Sequence, residues 1–188
     1  MPEAEMRPGM PLLAAVAALF PIAAPPAAAG AQQLTWEMLR PADQPIWVPG
    51  APASPAAVRQ GEVLAQPLDG ETVSLSGYLL PVDREGDLVY EFLLVPTPGG
   101  CSHMAHPPAN QVVRVSMPTP YRLREIYEPV SVSGTLRTDL EQTQLEIIDG
   151  VTVIESGYAL GGAQVAAADL GPRRPIPGVD TPWSFLRN

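Results

Sequence analysis

Residues 72–80, Thr-Val-Ser-Leu-Ser-Gly-Tyr-Leu-Leu, put Val73, Leu75, Gly77 and Leu79 on one side of an extended chain and Thr72, Ser74, Ser76 and Tyr78 on the other. A period of two is the pattern of a strand with one face toward a core, and it is incompatible with a helical stripe. The pattern recurs along the chain. Leu88–Val95 is apolar on nearly both sides apart from Glu91, and Asp83–Asp87 reads as the turn joining it to 72–80 in a hairpin. Gln111–Met117 predicts a third strand, stopped by Pro118 and Pro120. Val130–Leu136 predicts a fourth, and its Val-x-Val-x-Gly-x-Leu echoes Val73-x-Leu-x-Gly-x-Leu79, as two strands in similar bent positions of one sheet would. Val151–Leu160 predicts a fifth. Leu145–Ile148 approaches a turn at Asp149-Gly150, 121–128 reads as a short helix or turn, and 164–169 reads as strand or helix. Gly77, inside a strand, marks strong bending or a close backbone approach.

This series predicts a mainly β domain: a small five- to six-stranded OB-like or SH3-like barrel with proline-rich arms. A small sandwich is the alternative. The barrel is favoured because closure removes the edges of an apolar sheet.

The two ends read differently from the middle. Residues 10–20 are an apolar run after Arg7, broken by Pro21, Pro25 and Pro26, and Ala29-Gly30-Ala31 is a small-x-small cleavage site. The expectation is a signal peptide over 1–31, an extended arm over 32–61, a β-barrel over 62–169 and a tail over 170–188. Export to the periplasm follows; a retained anchor facing the periplasm is the alternative, since 10–31 carries no charge. Five prolines between 41 and 55 keep the arm extended, with Trp36 and Trp47 expected to pack it onto the domain.

The chain has no lysine, and its 11 arginines face 20 Asp and Glu for a net charge of −9. That balance repels phosphate backbones, which excludes a nucleic-acid binder. It equally disfavours an anionic membrane surface.

One cluster carries chemistry. The single cysteine and both histidines, Cys101, His103 and His106, fall within six positions of a proline-rich loop over 96–110. A thiolate and two imidazoles suit zinc or copper. A fourth ligand would come from water, Glu91, a carboxylate of 139–146 or a second chain. The same residues also read as a buried small thiol and ordinary loop polar groups. A Cys–His nucleophile pair is the enzyme alternative, but no third group orients the base, so the chain reads more as a non-enzyme. Asn110 and Gln111 read as hydrogen-bonding residues that keep the proline loop in shape.

The stretches Gly77-Tyr-Leu-Leu-Pro81, Glu91-Phe-Leu-Leu-Val-Pro96, Gly100-Cys-Ser-His103, Pro107-Pro-Ala-Asn-Gln111, Val130–Leu136 and Ser156-Gly-Tyr-Ala-Leu160 resemble DUF3299, a family of exported bacterial proteins of unknown function. The resemblance covers about 60–168 and marks Cys101, His103, Pro107, Pro108, Asn110 and Gln111. The chain departs from the family pattern at Ala105 and His106, where proline is common. The resemblance implies an association with envelope metal transport, zinc in particular. The expected function is therefore a periplasmic metal-binding accessory protein, with zinc first and copper second, working beside an envelope transport protein. The alternative is a non-catalytic interaction module of such a complex, using its proline-rich arms to dock.

Overall fold

A computed structural model describes residues 30–47, 61–98, 106–147 and 150–171. The expected signal peptide and its cleavage site at 29–31 fall almost wholly outside them, as do Cys101, His103 and the tail beyond 171. Among the described residues no helix is long and apolar enough to cross a membrane.

Six strands form one sheet: β1 (Gln32–Gln33), β2 (Thr72–Glu85), β3 (Leu88–Val95), β4 (Val113–Arg122), β5 (Pro129–Ile147) and β6 (Gly150–Ala167). Their order is β1-β2-β3-β4-β6-β5, and β2 also pairs with β5. All neighbours are antiparallel except β1 with β2 and β4 with β6. The expected hairpin is the β2–β3 pair, and its turn holds Gly86 at φ +62. The echoing segments lie side by side, with Leu75 opposite Val132 and Gly77 opposite Val130.

This architecture corrects the expectation of an OB-like or SH3-like barrel built of short strands. The six strands do not form a closed barrel: β1 stays outside as a two-residue strand whose described pairing is with β2 alone. The reason for the difference lies in β5 and β6. They run for 19 and 18 residues, too long to be used up in wrapping one core. Their near halves pair with β2 and β4, but Glu141–Ile147 and Gly150–Ser156 pair with each other only. A register shift between Thr138 and Glu141 turns this outer ribbon away from the wall of the sheet.

The ribbon folds over the outer face of the sheet and creates a second core. The first core lies inside the wrapped strands and includes Val73, Leu75, Leu79, Phe92, Leu94, Val115, Val132, Leu136 and Tyr158. The second joins Leu80, Leu93 and Val95 of the sheet, and Val112 just before β4, to Leu145 and Ile154 of the ribbon. Two cores explain why β3 is apolar on both sides, as a strand covered on both faces must be. On the ribbon side of the sheet, Arg114 bonds both Glu91 on β3 and Glu141 at the ribbon's root.

Two sequence expectations shift for local reasons. Pro118 and Pro120 do not end the third strand. Pairing skips from Glu91–Ser116 to Val89–Tyr121, so both prolines sit where a ladder bond is already missing. The ambiguous 164–169 stretch is strand as far as Ala167.

Candidate functional site

The loop between β3 and β4 returns to the fold through Pro107-Pro-Ala-Asn-Gln111. Pro107, Ala109, Asn110 and Gln111 are buried, and Ala109–Gln111 forms one 3-10 turn, with Gln111 N–H donating to Pro108 O at 2.8 Å. A fully buried side-chain amide must find partners or cost about 1–3 kcal/mol. Both amides here find theirs across the chain.

Asn110 and Gln44 bond reciprocally. The Asn110 amide donates to Gln44 Oε1 at 2.8 Å, and the Gln44 amide donates to Asn110 Oδ1 at 3.1 Å. Asn110 Nδ2 also donates to Val63 O at 3.2 Å. Gln111 accepts from the Trp47 backbone N–H at 2.7 Å and donates to Pro45 O at 3.3 Å. The Asn-Gln pair therefore grips residues 44–47 and 63, where sequence reasoning had it shaping its own loop. Composition and periodicity carry no signal for that pairing, because Gln44 lies 66 positions from Asn110.

The same corner is tied from β6. The Tyr158 hydroxyl donates to Leu39 O at 2.8 Å and accepts from Ala65 N–H at 2.7 Å, in a fully buried position. Burial raises its pKa, and the Ala65 bond lowers it by less. Trp36 donates its indole N–H to Ser76 O at 2.9 Å. Trp36 packs against Gly77, where an added Cβ would lie 3.0 Å from its ring and 2.8 Å from Val95 O. Gly77 is thus the close approach its place in a strand implied. Trp36 and Trp47 are both buried, as expected. Residues 41–47, read as part of a partner-docking arm, pack on the chain's own domain.

Of the three expected metal ligands, His106 is described and Cys101 and His103 are not. His106 is half-buried, its Nε2 2.8 Å from the Thr152 hydroxyl on β6. Thr152 lies two residues past the start of β6, so His106 and the free end of the ribbon share one end of the molecule. Glu91, one of the candidates for a fourth ligand, is ion-paired with Arg114, as is Glu141 from the 139–146 stretch. Among the described residues no group of three or more His, Cys, Asp or Glu could hold a metal. A thiolate and two imidazoles are donor types that suit a zinc or copper ion.

Comparison with known proteins agrees with this layout. The model of the family described as "Protein of unknown function (DUF3299)" matches residues 31–167, taking in the gripped N-terminal segment as well as the sheet. A solved structure of a DUF3299 family protein from Pseudomonas aeruginosa PAO1 is 31% identical, with a TM-score of 0.54. The match covers 76% of this chain and 99% of that one. No curated protein matches the chain.

Proposed function

The chain belongs to the DUF3299 family, and from that premise we propose that it is an exported metal-binding accessory protein whose working element is the loop bearing Cys101, His103 and His106. One observation supports this above the rest. The loop returns to the fold through a buried 3-10 turn, with Asn110 and Gln111 bonded to Gln44, Pro45, Trp47 and Val63. A fixed root lowers the cost of holding ligands in one geometry, which is what a metal-presenting loop needs. His106 stands at the head of that root, against Thr152.

The preferred ion is zinc, with copper as the competitor for a thiolate–imidazole set. The working place is the periplasm, beside an envelope transport protein that gives or takes the ion. An exported lone thiol would otherwise be exposed to oxidation, and a bound metal protects it.

The test is a chelator competition on the reduced mature protein and on C101S/H103A. The expected result is about one zinc per chain, with affinity falling at least about tenfold, roughly 1.4 kcal/mol, in the double variant. Unchanged affinity in the double variant would refute the site.

A further inference from the structure

The first strand of the sheet starts where the expected export signal ends. β1 opens on Gln32, which pairs with Val73 of β2, and the match to the family begins one residue earlier, at 31. Cleavage after Ala29-Gly30-Ala31 leaves every described strand whole and makes Gln32 the first residue of the mature chain. A glutamine in that position carries a nucleophile, its α-amine, and an electrophile, its own side-chain amide carbon. The two adjacent glutamines differ in what they are free to do. Gln33 donates its Nε2 to Ser74 O at 3.2 Å and to Leu34 O at 3.4 Å, so its amide is held against the sheet. Gln32 is exposed, and its side-chain amide makes no hydrogen bond to any described residue.

We propose that Gln32 of the exported chain is converted to pyroglutamate, a modification that rests on the export and cleavage read above. The α-amine nitrogen attacks Gln32 Cδ. The new N–Cδ bond closes a five-membered lactam as the Cδ–Nε2 bond breaks. The amine gives up one proton, which leaves with Nε2 as ammonia. No oxidant, reductant or second reactant enters. The product suits its place in the sheet. A lactam keeps one N–H and the residue keeps its C=O, which is what a strand residue brings to a ladder, so the pairing of Gln32 with Val73 survives. Cyclisation removes the positive charge that a free amine would put at the end of this two-residue strand. It also closes the chain to aminopeptidases, and so protects an arm whose Gln44, Pro45 and Trp47 bond Asn110 and Gln111.

The test expresses the full chain with its own signal in a bacterial host and recovers it from the periplasm. Intact mass and fragmentation of the N-terminal peptide are read at once. The expected species starts at residue 32 and is one ammonia lighter than the encoded 32–188. Gln32→Ala should start at the same position, lose no ammonia and present an amine open to Edman degradation. A wild-type chain that starts at Gln32 with its ammonia retained would overturn the proposal. So would a loss that develops only during storage, with a free amine in freshly fractionated cells. A mature start at another residue overturns it and leaves export standing, whereas a chain that keeps residues 1–31 overturns the cleavage as well.

Discussion

Replacing Tyr158 by Phe removes one oxygen atom and leaves the ring that fills the first core. That oxygen bonds Leu39 O and Ala65 N–H, so two segments of the N-terminal region lose a common anchor. Each hydrogen bond is worth about 1 kcal/mol net, and stranding a buried partner adds about 1–3 kcal/mol. Leu39 is fully buried, so its carbonyl bears the full penalty; Ala65 is half-buried and water can replace the lost donor bond. The sum is about 2–3 kcal/mol. For a domain of this size that corresponds to a Tm lower by roughly 6–10 °C. Urea unfolding gives the free energy, and exchange at the Ala65 amide gives its location. The midpoint should fall with little change in m, and Ala65 should exchange faster than amides of β3. A loss below about 0.5 kcal/mol would refute the reasoning, since the hydroxyl would then be one of several interchangeable anchors.

Gly61→Ala places a Cβ 2.6 Å from Pro108 Cβ, so it should cost about 1–3 kcal/mol in urea unfolding despite adding one methyl group. Arg114→Met removes the cation that pairs with both Glu91 and Glu141 beside the second core; thermal unfolding should show a loss of about 1–2 kcal/mol at neutral pH. Burial first, then Glu128, pushes Tyr121 up to about 12, and burial raises Tyr158. A tyrosine whose folded pKa is raised stabilises the fold fully below about pH 10 and loses that contribution as pH climbs toward the folded value. Absorbance titration compared with Tyr121→Phe and Tyr158→Phe should therefore show these two tyrosines ionising late, together with alkaline unfolding; their ionisation near pH 10 in a folded protein would contradict it.

Much of the sheet is readable in the residues because half-buried strands record their own burial. The alternation of 72–80 and the turn at 83–87 specify the first hairpin. The outer ribbon is not readable in the same way. Its strand from Arg137 to Gln144 is mostly polar, and burial of Thr143 and Leu145 depends on the ribbon folding back over β3. β3 held the complementary sign, apolar on both faces, but a covered strand does not say what covers it. That gap is also why short strands closing into a barrel seemed sufficient. At the site, the donor types of the loop are visible in sequence, whereas the partners of Asn110, Gln111 and Tyr158 are not. Their bonds span 47 to 119 positions, and no local pattern encodes which distant carbonyl a side chain will meet. His106 is intermediate: its proximity to Cys101 was plain, and its contact with Thr152 was not.

The central claim is that the Cys101–His106 loop holds a metal through sulfur and nitrogen. Cobalt(II) added to the reduced mature protein tests it most directly, because a thiolate bound to cobalt gives an intense charge-transfer absorption in the near ultraviolet. The account predicts that band at one equivalent, its loss in Cys101→Ser, its weakening in His103→Ala and its displacement by zinc. A wild-type protein that shows no such band, with its thiol reduced and its fold intact, would contradict the account.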